Sequence, residues 1–327
     1  MNTANKALEL IQNSHVHIEK SIIDQYFIAR TAINLKINSK KTALIGGFSI
    51  SKEKQDAINT AQFETLERTL GSYVLAPSNL RDSHFCSYYV WNDSNAPKIS
   101  ADKILLAGTG SQGGVDAVGL AVGSNDRFAV QHAAFEFIER WLLGQIWYHD
   151  SPITKIKTRK VDAIYHVSFY TITKFEIPFV MAALSDAENN ILTFGAAIKI
   201  TFKEAMIKAE GEAIMLAHDF LTKKNYDYPN RQATCRRIKS QGDQGLIKKR
   251  KDKLSSLCQK NTSTFEKEYS LEKILSHLGW QKKLCYSHLH KEEDITCIRV
   301  YSEQIESLLA LRKKFKSTDK FLLDPIA

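Results

Sequence analysis

The chain lacks the segments that mark membrane and secreted proteins. Its 327 residues contain no run that approaches about 18 consecutive apolar residues, which argues against a membrane-spanning helix. Residues 1–20 are polar and hold no apolar segment of the secretory type. The five cysteines are an odd number without a Cys-x-x-Cys pair, which is typical of reduced thiols rather than a disulfide framework. We therefore expect a cytoplasmic protein that does not bind membranes.

Acidic residues are outnumbered by basic ones, and the imbalance is local. The net charge is +9, and residues 223–253 alone contain eleven Lys or Arg against three Asp. With Pro229, Gly242 and Gly245 and few large apolar residues, this segment predicts a long mobile loop. Such a loop could be merely solvated, or could capture an acidic peptide or protein partner. The absence of an aromatic stacking platform disfavours nucleic acid.

A pattern of eight residues, Ala-x-Phe-Glu-x-x-Glu-Arg, occurs twice. The first copy is residues 61–68, and the second is residues 133–140, 72 positions later. On a helix, positions i, i+3 and i+4 share one face, so each copy presents two carboxylates and a guanidinium together. Four carboxylates that face each other across a cleft would bind hard divalent cations. The two arginines could then clamp the phosphates that those cations carry.

A single copy of this pattern would carry little information, because Glu and Arg four positions apart form a common exposed pair. The second copy has different neighbours, since Val130, Phe137, Ile138 and Trp141 help to make its helix apolar nearly all round. A buried carboxylate is costly unless it is paired or binds a metal. Two interpretations stay open: a metal site, or a buried structural Glu–Arg network between the two helices.

The candidate residues lie on three expected helices. Their periodicity predicts helices that recur about every 70 to 75 residues, at about residues 52–70, 126–144 and 202–221. A strand near residues 41–50 is expected to end at a Gly46-Gly47 turn, after which Ser51 would cap the first helix. Strands and helices alternate irregularly, which indicates a duplicated α+β unit rather than a doubly wound sheet.

A competing motif lies in residues 108–113, which satisfy the dinucleotide-binding pattern G-x-G-x-x-G. A turn of that kind should open directly into a helix that holds a pyrophosphate. Here glycines continue to residue 123 and would disrupt the first turns of such a helix. The sequence favours a loop that approaches phosphates through backbone N–H groups. A nicotinamide-dependent enzyme stays an alternative that a titration of NADH fluorescence would test.

Taken in order, these motifs resemble the YcaO family, which comprises ATP-dependent enzymes that act on peptide backbone amides. The family's first signature, Ser-x-x-x-Glu-x-x-Glu-Arg, is similar to residues 60–68. Its second is Gly-Leu-Ala-Ala-Gly-Asn-Thr followed by a helix that ends Glu-x-x-Glu-Arg, and is similar to residues 119–140. Its later Ile-Pro-Val-Val strand, Gly-Ala turn and glutamate-bearing helix are similar to residues 177–212.

The resemblance spans about residues 45–220 and implies an α+β fold of the YcaO type. In that fold, internally duplicated helix-on-sheet units surround a central nucleotide cleft. The resemblance implies one YcaO-like domain over residues 1–327. We expect a basic mobile insertion at about residues 223–265 and a terminal α+β subdomain at about residues 266–327.

The resemblance also implies that the cofactors are ATP and magnesium. It assigns the metal to four carboxylates: Glu64, Glu67, Glu136 and Glu139. It assigns the remaining nucleotide contacts to Arg68 and Arg140 on phosphate oxygens and to the hydrogen-bonding residues Thr60, Ser124 and Asn125. Glu212 on the third helix is a further residue of the nucleotide site and an additional candidate for binding magnesium.

The implied reaction is the azoline-forming cyclodehydration of Cys, Ser or Thr in a ribosomally made precursor peptide, through phosphorylation of the amide oxygen. Alternatives are thioamide or amidine formation on the same scaffold, and a degenerate nucleotide-binding partner protein without catalysis. The signatures start by residue 60, so we expect no preceding leader-binding or E1-like segment, and instead a separate partner protein that presents the peptide. Residues 223–253 are a candidate surface for that partner, and the resemblance is compatible with a homo-oligomer.

The chain departs from the family pattern at several positions. Thr60 replaces the usual serine, and Phe128 stands where a glutamate is common. After the third helix's glutamate, Met215 and Ala217 replace the usual glutamine and arginine. The chain also lacks the Pro-x-Pro-x-Pro tail of many azoline-forming members. These positions bear on the nucleotide contacts and on the product.

Overall fold

The computed structural model of the chain describes residues 9, 11–36, 42–72, 84–106, 117–223, 240–259, 268–292, 294–318, 320 and 323–325. Its contacts divide the chain into two compact units. The first unit is Met1–Glu19, Phe27–Phe137 and Gly279–Ile305. The second is Lys20–Tyr26, Ile138–Leu278 and Glu306–Ala327. Within the described ranges, no helix is both long and apolar enough to cross a membrane.

The first unit begins with a three-stranded sheet on which one helix packs. Its strands lie in the order β1-β2-β3, with bounds His15–Lys20, Phe27–Lys36 and Thr42–Ser51. Helix α1 spans Lys54–Leu70 and buries Ala57 and Ala61 against Ala29 of β2. Small residues on both sides allow the helix axis to approach the sheet closely. The helix ends at Leu70 with Gly71 as its C-cap, as the sequence predicted.

Two predictions at the start of this helix are wrong. The Gly46-Gly47 pair is not a turn, because β3 runs through both residues and pairs with β2 along its whole length. A Cβ atom at Gly47 would lie 2.2 Å from the carbonyl oxygen of Ala61, so this glycine is needed for helix packing rather than for a turn. Ser51 is the last residue of β3, and Glu53 occupies the N-cap without a side-chain hydrogen bond.

A five-stranded antiparallel sheet completes the first unit. Its strands lie in the order β5-β4-β12-β13-β6, with bounds Asn95–Ser100, His84–Tyr89, Cys285–Glu292, Ile295–Tyr301 and Leu120–Gly123. Strand β6 is buried along its length and pairs with β13, which is also largely buried. Leu120 and Val122 of β6 lie in one core cluster with Leu66 and Leu70 of α1, so this sheet and the helix pack against each other.

Helix α2 spans Asp126–His149, and two residues separate it from the end of β6. Its residues up to Phe137 belong to the first unit, and those from Ile138 onwards belong to the second. The helix is buried over much of its length, as the sequence predicted from its apolar neighbours. In the second unit its Trp147 packs edge-on against Phe194, with ring centroids 5.3 Å apart.

The second unit is built on another five-stranded sheet, in the order β10-β9-β8-β7-β11. The strand bounds are Leu192–Ile198, Phe179–Asp186, Tyr165–Thr171, Ile153–Lys160 and Cys258–Gln259. All neighbours are antiparallel except β11, which is parallel to β7. Strands β9 and β10 are almost fully buried, and helix α3, Phe202–Lys223, packs on them.

The prediction of a loop over residues 223–253 is wrong for residues 244–253, which are helical, and residues 224–239 lie outside the described part of the chain. Helix α4 spans Gln244–Leu257 and is capped by Asp243, whose side chain accepts a hydrogen bond from the Leu246 backbone. Three residues of this basic helix are buried: Ile247, Arg250 and Leu254. The guanidinium of Arg250 donates to the carbonyl oxygen of Ser240 at 3.1 Å. The described residues also include two short α-helices, α5 at Leu271–Leu278 and α6 at Leu308–Lys314. The insertion at 223–265 and the subdomain at 266–327 stay predictions.

Candidate functional site

The first cluster of candidate residues lies where α1 meets β3. One carboxylate oxygen of Glu64, Oε2, accepts a hydrogen bond from the Phe48 backbone at 2.7 Å. The other, Oε1, is paired with Arg68 four residues later. Arg68 also donates from Nη1 to the carbonyl oxygen of Gly46 at 2.7 Å. Helix and strand are thus linked by charged side chains that bond to backbone groups.

Glu67 lies one turn along this helix and is partly buried. Burial, followed by the negative charges of Glu136 and Glu64, raises the pKa of the Glu67 carboxyl well above its usual value. Arg68 and a hydrogen bond from the Val122 backbone act in the opposite direction but do not cancel these effects. Three carboxylates therefore lie near one guanidinium, and this balance of charge disfavours the ionised state of Glu67.

Glu136 brings helix α2 into the same cluster. Its Oε2 accepts a hydrogen bond from the Gly119 backbone at 3.0 Å, just before β6 begins. Glu64, Glu67 and Glu136 are all oriented by backbone N–H groups from strands or strand ends. Among the described residues, no three His, Cys, Asp or Glu side chains are arranged to hold a metal by themselves. Magnesium commonly takes one or two carboxylates together with water and substrate phosphates, so the cluster fits that ion.

The second unit holds the other two members of the second signature. Glu139 is 8% exposed, and its Oε1 lies 3.5 Å from Nε of Arg140. A carboxylate this deeply buried keeps its charge only with a cation close by. Glu139 and its neighbour Arg140 therefore form an ion pair within one helix, which is not the network between two helices that the structural interpretation described.

Glu212 on α3 also belongs to the second unit. Its Oε2 accepts a hydrogen bond from the Ala196 backbone at 3.3 Å, and its Oε1 lies 3.8 Å from the ammonium of Lys208. The contact with Ala196 reproduces, on β10, the bond that Glu64 makes with Phe48 on β3. Glu212 is thus held against its sheet and paired within its own helix.

Lys199 is a candidate residue that the sequence did not single out. It directly follows β10 and is partly buried. Burial and the nearby charge of Lys208 lower the pKa of its ammonium, while Glu139, Glu212 and Glu204 oppose that shift. A lysine just after a fully buried strand is the signal that could have identified it. The structure places it in the electrostatic field of two predicted site residues.

Three predicted hydrogen-bonding residues are exposed. Thr60 lies on the solvent side of α1, and Ser124 precedes α2. Asn125 caps α2, because its Oδ1 accepts a hydrogen bond from the Phe128 backbone at 2.9 Å. That bond leaves the Asn125 amide group oriented at the helix N-terminus, where anions are favoured.

The departures from the family pattern have different surroundings. Met215 and Ala217 are buried in the core of the second unit, so the positions of the expected glutamine and arginine are used for packing. Phe128 is 58% exposed and stacks on His132, with ring centroids 6.3 Å apart. The glycine motif at residues 108–113 lies outside the described residues.

Comparisons with known proteins identify the family. A family model described as "YcaO cyclodehydratase, ATP- and Mg2+-binding" matches residues 113–304, more than half of the chain. No curated protein sequence gives a significant match. The first signature, in residues 60–68, lies outside the matched range.

Solved structures with the same fold include three proteins of low sequence identity. YcaO from Methanopyrus kandleri, bound with AMPPCP and Mg2+, has a TM-score of 0.62 at 10% identity, over 93% of this chain and 91% of that one. The E. coli microcin synthetase McbBCD complex with pro-MccB17 bound gives 0.64 at 12% identity, over 88% and 87%. A heterocyclase in complex with substrate and cofactor gives 0.67 at 10% identity over 93% of this chain. The chain spans about half of that heterocyclase, 52% of its length.

At these identities the solved structures show the fold alone, and they confirm the predicted α+β architecture. The predicted dependence on ATP and magnesium is confirmed at the level of the family. The roles of the ten candidate residues stay predictions. On the family match and the shared fold, this chain belongs to the YcaO family.

Proposed function

We propose that this chain is an ATP- and magnesium-dependent enzyme that forms azolines in a ribosomally made precursor peptide. Membership of the YcaO family supports ATP-dependent chemistry of this general kind. The observation that carries the proposal is the cluster of Glu64, Glu67 and Glu136, in which burial and mutual repulsion raise the pKa of Glu67. Such a cluster is unfavourable without a cation, and perturbed pKa values are concentrated at functional sites.

In the reaction, the thiol of Cys or the hydroxyl of Ser or Thr attacks the preceding backbone carbonyl carbon and loses its proton. A new C–S or C–O bond forms as the C=O π bond breaks. ATP, held with magnesium by the carboxylates, would supply its γ-phosphoryl group to the former amide oxygen and leave as ADP, which makes that oxygen a leaving group. That oxygen departs as phosphate, the amide proton is lost, and a C=N bond completes the ring. The net change in the peptide is the loss of one water per ring. The protein's task is to position polyanions and to neutralise developing charge.

We assign the metal-binding role to Glu64, Glu67, Glu136 and Glu139. In the first unit, backbone N–H groups orient three of these carboxylates before any ligand binds. Orientation in advance reduces the reorganisation that metal binding would otherwise require. Glu139 is buried and has Arg140 as its charged neighbour.

Arginine and hydroxyl groups complete the assignment. Arg68 uses Nη1 and Nη2 for Gly46 and Glu64 and retains further donors for phosphate oxygens. Arg140 would act in the same way in the second unit. Thr60, Ser124 and Asn125 are exposed and able to donate hydrogen bonds to a nucleotide, and we place Glu212 in the nucleotide site.

The substrate and the partner follow from the same assignment. A similar structure, the microcin synthetase complex, contains pro-MccB17, and another contains a heterocyclase with its substrate. We propose a precursor peptide as the substrate here and a separate leader-binding or E1-like protein as the partner. A cytoplasmic location and a homo-oligomer are part of the proposal. The basic segment at residues 223–253 is the proposed surface for an acidic leader or partner.

The decisive experiment measures peptide-dependent phosphate release with the products of neighbouring genes supplied. Glu67→Gln and Glu139→Gln should each lower the rate about 100-fold or more, because metal stabilisation of developing charge contributes several kcal/mol. Glu53→Gln at the N-cap of α1 is the matched control, since Glu53 is exposed and lies outside the cluster. Normal rates in both site variants would refute the assignment.

Mass spectrometry of the peptide then identifies the chemistry. Loss of one water per modified residue supports azoline formation, whereas exchange of oxygen for sulfur indicates a thioamide. A degenerate protein has one structural argument in its favour, since the buried Met215 and Ala217 occupy positions where polar residues are usual. That alternative predicts nucleotide binding without phosphate release when peptide and partner are present.

A further inference from the structure

The contact between a strand glycine and a helix occurs twice, once in each unit. In the first unit, a Cβ atom at Gly47 would lie 2.2 Å from the carbonyl oxygen of Ala61. In the second, a Cβ atom at Gly195 would lie 2.1 Å from the carbonyl oxygen of Ala209. Both glycines therefore permit the same close approach of a helix backbone to a strand.

The hydrogen bond beside each glycine is also repeated. The Phe48 backbone donates to Glu64, and the Ala196 backbone donates to Glu212, each across 16 positions of the chain. The four pairs of equivalent residues share one offset of 148 positions, from Gly47 to Gly195. The two strand–helix modules can therefore be compared residue by residue.

The comparison shows that the two modules differ in charge. Under this offset, Ser51, Thr60, Glu67 and Arg68 of the first module correspond to Lys199, Lys208, Met215 and Leu216 of the second. The first module thus carries two carboxylates and one guanidinium. At the same positions the second carries one carboxylate and two ammonium groups, and its helix also holds Glu204 and Glu210. The shared backbone geometry is retained while the sign of the charge at the compared positions is reversed.

The contacts of the second module agree with this reversal. The ammonium of Lys208 lies 3.8 Å from Oε1 of Glu212, and Lys199 lies in the field of Glu212 and Glu139. In the first module, by contrast, Glu67 is surrounded by two like charges and one opposite charge. A divalent cation would relieve repulsion in the first module but would be repelled by two ammonium groups in the second.

We propose that Lys199 and Lys208 act as built-in cations that take the place of a metal ion at Glu212. On this basis the duplicated module binds a divalent cation at Glu64 and Glu67 but excludes one from Glu212. The two lysines thereby set the number of metal ions that the chain holds. This inference rests on the proposed magnesium site, to which it adds the identity of the residues that limit metal binding.

The test is a titration with Mn2+, followed by electron paramagnetic resonance, in the presence of a non-hydrolysable ATP analogue. Replacing both lysines, Lys199→Met with Lys208→Met, should create about one additional Mn2+ site per chain, because Glu212 loses its ammonium partner Lys208 and the nearby charge of Lys199. Adding Glu212→Gln to that variant should remove the additional site. Lys203→Met is the matched control, since Lys203 is an exposed lysine of the same helix.

An unchanged number of Mn2+ ions in the folded double variant would overturn the inference, as would an additional site that survives Glu212→Gln. Lys199→Gln with Lys208→Gln provides a second pair if the methionine variants do not fold. The result is separable from the proposed function. If the proposed magnesium site does not exist, the wild-type protein will bind no Mn2+. The site that depends on Glu212 would still appear in the double variant.

Discussion

Replacing Glu67 by glutamine should make the ligand-free protein more stable while it weakens the metal site. In the folded chain the Glu67 carboxylate loses hydration and faces the like charges of Glu136 and Glu64. Arg68 and the Val122 backbone offset only part of this cost. Glutamine keeps a similar shape and an oxygen that can accept the Val122 bond, but it carries no charge. The substitution therefore removes a repulsion that the native residue retains for binding a cation.

The size and the pH dependence of this effect follow from the same contacts. Optimising a charge in this way commonly contributes about 0.5–2 kcal/mol. One kcal/mol shifts the melting temperature by about 2–4 °C for about 150–250 residues, so we expect a rise of about 1–8 °C. Folding raises the pKa of Glu67. The stability that its protonated form contributes is therefore fully present below the usual pKa of 4.5, and it is lost as the pH rises through the raised pKa of the folded protein. The advantage of glutamine should therefore be absent near pH 4.5 and reach its maximum in neutral or alkaline buffer.

The assay is thermal unfolding followed by circular dichroism, in EDTA and without nucleotide, over a series of pH values. The control is Glu53→Gln, which removes one charge from an exposed position of the same unit and should leave the melting temperature unchanged or slightly lower. With Mg2+ and an ATP analogue the wild type should melt at the higher temperature, because ligand at about 100 times its Kd adds about 2.7 kcal/mol to the free energy of unfolding of the wild type. A folded Glu67→Gln protein that melts at or below the wild-type temperature in EDTA would show that the cluster is not under repulsion.

Three further predictions concern the scaffold around the site. Gly195→Ala should cost at least about 1–3 kcal/mol in urea unfolding, because the new Cβ would meet the Ala209 carbonyl at 2.1 Å; an unchanged midpoint would contradict the close approach. Asn125→Ala should cost about 1 kcal/mol in the same measurement through loss of the α2 cap, while Asn125→Ser should restore most of it. Asp324→Asn should cost about 3–5 kcal/mol, because it breaks a buried pair whose Oδ2 lies 3.0 Å from Nε of Arg312; a loss below about 1 kcal/mol would contradict that burial.

The helices and the acidic motif could be predicted from the sequence because their signals are local. Periodic apolar residues located helices at 52–70, 126–144 and 202–221, and the structure has them at Lys54–Leu70, Asp126–His149 and Phe202–Lys223. The α+β class followed from the irregular alternation of strands and helices. Glu64 and Arg68 form the predicted pair on one helix face, since that contact depends only on spacing along the helix.

The remaining features depend on contacts between distant parts of the chain, which a local pattern does not contain. Gly46-Gly47 has the composition of a turn, yet the backbone of α1 packs against the middle of β3 at this place. Lys199 belongs to no motif, and its surroundings are set by residues of two different helices. The basic composition of residues 244–257 suggested a loop, but buried Ile247 and Leu254 hold that segment as a helix. Tertiary packing decided each of these cases.

The same residues determine both the packing of α1 and the charge of the cluster, so variants should separate into two kinds. A substitution such as Gly47→Ala moves the helix from the strand, and it should weaken both folding and cation binding, because Glu64 then loses its bond from Phe48. A substitution such as Glu67→Gln leaves that contact in place, and it should strengthen folding while it weakens cation binding. A protein in which Glu67 served only structure would lose stability in both cases. Opposite changes in the free energy of unfolding for the two variants are therefore the specific signature of a carboxylate kept for a ligand.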